Sequence, residues 1–138
     1  MATYKVIISN AKHTFPLKGL NELLAGRTYN YRTKKYQNSV KTSNDNVCLR
    51  AIKKYMPGVR IDKTIKCTFF IYAQDKKHDR GNLSSACEKS FLDAMQIAKV
   101  IKNDGFDDVM DSEFITILDR QNPRIEVYVR EMESDKNA

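Results

Sequence analysis

The sequence predicts an α+β domain, a small mixed sheet of about four strands with two main helices. Three observations predict it. Stretches that alternate apolar and polar residues stand near both ends of the chain and in its middle. Two longer stretches repeat their apolar residues every three to four positions. Pro and Gly fall between these stretches, where they punctuate them. The order read from the chain is strand, short helix, basic segment, helix, strand, helix, strand, strand.

The first strand is "TYKVIISN", in which Tyr4, Val6 and Ile8 alternate with Thr3, Lys5 and Ile7. Pro16 and Gly19 break it. Asn21 is positioned to cap the short run "NELLAG", which Gly26 closes. "RTYNYRTKKYQNSVK" has many cations and no clear period, so it reads as a basic loop or the opening of a longer helix. Residues 43–56 hold Val47, Ala51, Ile52 and Tyr55 at helical spacing, with Asn44 or Asp45 as cap and "MPGV" as stop.

"KTIKCTFFIYA" is the strongest strand. Ile65, Cys67, Phe69 and Ile71 share one face; Thr64, Lys66, Thr68, Phe70 and Tyr72 share the other. A polar loop, "QDKKHDRG", follows. From Asn82 to about Ile101 the apolar residues Leu83, Cys87, Phe91, Met95 and Ala98 recur at helical spacing. "KNDGFDD" is an acidic break. "SEFITILD" and "RIEVYVREM" alternate like strands and are expected to form a hairpin across "RQNP". Residues 1–132 are expected to form a single domain and residues 133–138 a frayed tail.

Composition narrows the class. Charged residues make up 30% and hydrophobic ones 41%, as in a soluble globular domain. No apolar run approaches the ~20 residues that cross a bilayer. "MATYKVIISN" lacks the apolar centre of a signal peptide, so an intracellular protein with no membrane partner is expected. The three cysteines, Cys48, Cys67 and Cys87, are widely spaced, and no CxxC pair exists. That argues against a disulfide framework or a zinc knuckle and makes packing their default role.

The net charge of +7 is unevenly spread. Residues 1–66 carry fourteen Lys/Arg and three Asp/Glu; residues 67–138 carry ten Lys/Arg and fourteen Asp/Glu. A basic half attracts a polyanion, while an acidic cluster repels it unless a cation intervenes. This layout suits a metal-dependent nuclease, and it also suits an ordinary basic surface.

The acidic residues fall in two groups. Asp79 lies between a strand and a helix for which Asn82 is a good N-cap, and helical N–H groups there orient a carboxylate or a phosphate. Asp104, Asp107, Asp108 and Asp111 follow the same helix. A ~20-residue helix is about 30 Å long, so the two groups meet only if the helix stops early or its loop folds back. "DGFDDVMD" lacks the ligand spacing of an EF-hand. Lys89 and Asp93 share a helix face, either as a surface ion pair or as a catalytic lysine held by an aspartate. Arg27, Arg32, Lys34, Lys35 and Lys41 alternate with Tyr29, Tyr31 and Tyr36, and Lys76, Lys77 and Arg80 surround Asp79. Such cations contact phosphates and such tyrosines stack on unpaired bases. The alternative is a solvated segment whose tyrosines pack into the core.

"HDRGNLSSACEKSFLDAM" with "IKNDGFDDV" resembles the signature region of the RusA family of Holliday junction resolvases. The matching residues are Asp79, Asn82-Leu83, Lys89, Leu92-Asp93-Ala94-Met95 and Asn103-Asp104-Gly105. "LNELLAGRTYNYRTKKY" is similar to a stretch of the phage branch, so the resemblance runs from about residue 20 to residue 110. It implies a homodimeric endonuclease that cuts four-way DNA junctions with Mg²⁺, or Mn²⁺, in a bacterial cytoplasm and of phage or prophage origin. It further implies Asp79 and Asp104 as metal ligands and Lys89 and Asp93 as catalytic residues. Two positions depart from the family pattern. Gly81 stands where an aspartate is usual, and Ser85 stands where the best-studied branch has its lysine. The Gly81 departure leaves open a protein that binds branched DNA without cutting it.

Overall fold

The computed structural model describes residues 2–18, 27–76 and 80–133, with residues 27–29 and 36–38 described by backbone only. In chain order the elements are β1 (Thr3–Ile8), β2 (Arg27–Asn30), β3 (Lys35–Asn38), α1 (Ser39–Tyr55), β4 (Ile65–Ala73), α2 (Arg80–Ile97), β5 (Glu113–Leu118) and β6 (Arg124–Glu131). Four strands make one mixed sheet in the order β1-β6-β4-β5, and β2 pairs with β3 as a separate hairpin. The α+β class and the strand faces expected for β1 and β4 are observed.

The alternation of β4 decides where the core lies. Ile65, Cys67, Phe69 and Ile71 are fully buried, and so are Val6, Ile125, Val127 and Val129 on the neighbouring strands. They meet Cys48 and Ile52 of α1 and Leu83, Cys87, Phe91 and Met95 of α2. Phe69 touches Phe91 edge-to-face at 5.6 Å, which locks α2 over the sheet. Lys66, Thr68, Phe70 and Tyr72 on the opposite side of β4 are half-buried.

Three expectations are corrected. β5 and β6 are not a hairpin, because β4 lies between them. β5 runs parallel to β4 through the α2 crossover, while β6 pairs antiparallel with both β4 and β1. Parallel strands require such a crossover, and the alternation of two consecutive strands is blind to which neighbour each one finds. The basic segment is a hairpin. Asn30 Oδ1 accepts the N–H groups of Arg32 and Thr33, and Lys34 takes φ +56°, which together turn the chain. α1 starts about one turn earlier than expected, so Asn44 does not cap it. Its side-chain amide instead donates to the Lys18 carbonyl and accepts the Lys18 N–H, both at 2.9 Å.

α2 ends at Ile97, about a turn before the expected Ile101. Lys99 adopts φ +60°, its N–H donates to the Gln96 carbonyl, and the Val100 N–H donates to the Met95 carbonyl. This is a Schellman termination with lysine in the position glycine usually takes. Val100 and Ile101 are then free to bury themselves as the chain turns back.

Candidate functional site

The early end of α2 sends the acidic loop back along the helix. The loop is pinned to the start of β4. Ile65 donates to the Asp108 carbonyl, Met110 donates to the Ile65 carbonyl, and the Thr64 hydroxyl donates to the Asp107 carbonyl at 2.7 Å. The Asp108 and Val109 N–H groups both donate to the Gly105 carbonyl, closing a tight turn. Between this loop and the middle of α2 lies a depression of about 410 Å³. Glu88, Lys89, Asp93, Asp104 and Asp111 line it, with Leu92 and Val109. Lys89, Asp93 and Asp104, separated by up to fifteen positions in sequence, therefore share one depression.

The spacing-based pair Lys89–Asp93 is not formed. Asp93 Oδ2 lies 2.7 Å from the Lys41 ammonium, which also pairs with Asp45. Lys41, read from sequence as a DNA-facing cation, sits between α1 and α2 with its side chain 19% exposed. Burial pulls its pKa down, but hydrogen bonds to Asp45 and Asp93 and their charges more than offset this, leaving it raised. Lys41 thus fixes Asp93 and ties the two helices together. Lys89 is exposed, and neither Asp104 nor Asp111 has a salt bridge among the described residues.

A metal ion needs several ligands gathered around one point. Among the described residues no three His, Cys, Asp or Glu side chains cluster closely enough to hold one. A closed protein cage is therefore not built there. Asp104 and Asp111 are exposed carboxylates lining one depression, and Mg²⁺ in general binds through one or two carboxylates and keeps several waters. The thiols do not contribute. Burial pushes Cys48 and Cys67 up to about 12 and Cys87 well above its ordinary value, so all three stay protonated.

The other expected residues lie elsewhere. Asp79 and Lys77 lie outside the described residues, as does His78. Lys76 and Arg80 border a second depression of about 330 Å³, at the start of α2 and the carboxyl ends of β4 and β5. Arg80 and Lys89 are nine residues apart on α2, about 13 Å along its axis. Arg32, Lys34 and Lys35 are exposed at the tip of the β2–β3 hairpin, beside Tyr31, which is 84% exposed. The backbone of Arg27 opens β2; its side chain is not described. Gly81 is exposed in the first turn of α2.

Glu88 and Asp111 join the depression without having been singled out. Asp111 belongs to the acidic run already noticed, but nothing in its spacing separates it from Asp107 and Asp108, which do not line the depression. No protein-family model matches this chain, and no curated protein matches it.

Proposed function

We propose that this chain is a Mg²⁺-dependent endonuclease of the RusA type that hydrolyses phosphodiesters in four-way DNA junctions. The observation that carries the reading is the depression shared by Lys89, Asp93 and Asp104, three of the four catalytic and metal positions that the resemblance implies. The exposed cations of the hairpin tip and of the second depression support it as phosphate contacts.

Asp104 and Asp111 would hold the ion, with Asp79 as a further ligand drawn from the resemblance. Mg²⁺ bound there supplies an acidified water and positive charge at the scissile phosphate. Lys89 adds a second positive charge at that phosphate and is not neutralised by Asp93. Asp93 acts from behind, held by Lys41. Two copies of the chain would cut two strands symmetrically.

A second reading is junction binding without cleavage. It is favoured by Gly81 and by the lack of a three-ligand cluster among the described residues. One experiment separates the two. A labelled synthetic four-way junction is incubated with protein and Mg²⁺, alongside Asp104→Asn and Gly81→Asp. The nuclease reading expects cleavage that falls at least about 100-fold in Asp104→Asn, as for a group touching the transition state. Cleavage equal to that of Asp104→Asn sinks it. Salt-dependent junction binding without cutting, with cutting gained in Gly81→Asp, establishes the second reading.

A further inference from the structure

The sheet has two faces, and the helices lie on one. The buried side chains of β4 and β6 meet α1 and α2 there. Phe70, Tyr72 and Tyr128 stand on the other face, half-buried and outside the core. They belong to β4 and β6, the two central strands. Among the described residues no helix packs on this side.

The register orders these rings. Tyr128 lies opposite Thr68, so the rings occupy three successive levels, those of Thr68, Phe70 and Tyr72. Two residues along a strand are about 6.7 Å apart. That is about twice the 3.4 Å spacing of bases in a duplex strand. Phe70 and Tyr128 meet edge-to-face at 5.5 Å. With Thr3, Thr68 and Arg130 they line a depression of about 320 Å³. At the third level Arg124 lies over the Tyr72 ring at 3.8 Å, and a guanidinium plane is itself a stacking surface.

The charges on this face are mostly positive. Its four strands carry Lys5, Lys66, Arg124 and Arg130 against Glu113 and Glu126. Glu126 is buried between Lys5 and Arg124, and Arg124 also holds Asp119, just past β5. Arg130 is exposed and forms no salt bridge among the described residues. It borders the aromatic depression.

We infer that this open face binds single-stranded DNA, with bases on Phe70, Tyr128 and the Arg124–Tyr72 stack and phosphates on Arg130 and Lys5. Open four-stranded sheets with such aromatic side chains stack two or three bases, and cations beside the rings track the backbone. Rings set twice the duplex spacing apart take bases that are not stacked on each other, which a single strand supplies. A duplex keeps its base faces turned onto one another and offers only phosphates. An apolar protein surface would leave the cations unanswered. The acidic depression is lined by α2 and so lies on the opposite side of the sheet. The choice of DNA over RNA rests on the proposed function; the surface does not.

The test is fluorescence anisotropy of a labelled oligothymidylate of about twelve nucleotides with the intact chain, near 0.15 M salt. Wild type is expected to bind it more tightly than an abasic strand of the same length and than oligouridylate. Tyr128→Ala, checked for folding by circular dichroism, is expected to weaken binding about tenfold through lost stacking. Arg130→Glu, at an exposed position, is expected to weaken it and to lower the slope of log affinity against log salt by about 0.7. Junction cleavage, read in the same variants, is expected to stay within about twofold of wild type. A wild-type chain that leaves the oligomer free overturns the inference, whether another protein, a second copy or nothing covers the face. So does equal binding of the abasic strand, preference for oligouridylate, or binding that neither variant weakens. Binding lost in these variants of a chain that cuts no junction sinks the nuclease reading and supports this one.

Discussion

The two edges of the sheet are finished in opposite ways. At β1, α1 packs over the inner side, where Val6 and Ile8 are buried. On its outer side stands Lys5, 3.1 Å from the carboxylate of Glu126. At β5, no side chain is buried, and the strand's charge is confined to Glu113 at its start. A charged edge resists further pairing more than an apolar one. The difference is that β1 buries Val6 and Ile8 on its inner side, while the apolar side chains of β5 stay exposed on both sides.

Substitutions at the two edges are the strongest way to break this comparison. Ile8→Ala is expected to cost about 2–5 kcal/mol of stability, since it leaves a cavity in the core. Ile117→Ala is expected to cost under about 1 kcal/mol, because the side chain is exposed. Urea unfolding at dilute protein measures both, and equal costs would mean that the edges are alike.

Glu126 sharpens the comparison on the protected side. Arg124 Nε lies 2.7 Å from one of its oxygens and Lys5 from the other, while Arg124 also stacks over Tyr72. Burial raises the Glu126 pKa, but hydrogen bonds to Arg124 and Lys5 and their charges lower it further, so the net shift is downward. A carboxylate whose pKa is lowered by folding stabilises the protein above its unfolded pKa and loses that contribution as pH falls through its folded value. Glu126→Gln is therefore expected to cost about 2 kcal/mol near neutral pH. The gap to wild type should close as pH drops below the ordinary glutamate value of about 4.3. Thermal melts across that range would show it; a gap independent of pH would contradict it.

The smallest effect is expected between the edges. Ser90 on α2 is fully buried, and its hydroxyl has no hydrogen-bond partner among the described residues. Ser90→Ala removes an unsatisfied polar group and should stabilise the fold by about 1 kcal/mol, read as a higher melting temperature.

The strands of the sheet were legible because each alternates over enough residues to show its face. Their partners were not. β5 and β6 look alike as neighbours in sequence, and only the buried crossover of α2 against Phe69 decides that β4 separates them. The hairpin at residues 27–38 was hidden because its turn rests on one Asn30 side chain and a left-handed Lys34. Within the site, Lys89, Asp93 and Asp104 could be named from motif order. Their meeting required the helix to end at Ile97, capped by a left-handed Lys99 where the rule expects glycine. The Lys41–Asp93 pair spans 52 positions between two helices, a distance over which local spacing says nothing.

The position of β6 has a consequence for how the chain is made. It is the last of the described elements in sequence, yet it lies inside the sheet, with β1 on one side and β4 on the other. Thr3 pairs with Arg130, so the first strand synthesised must wait for the last. During synthesis, β4, α2 and β5 can dock as a unit while β1 has no strand to join. Contacts of such long sequence separation slow folding, and they leave the apolar faces of β4 and β5 unprotected until β6 leaves the ribosome. A chain cut before residue 124 would lose not a tail but the strand that joins β1 to β4.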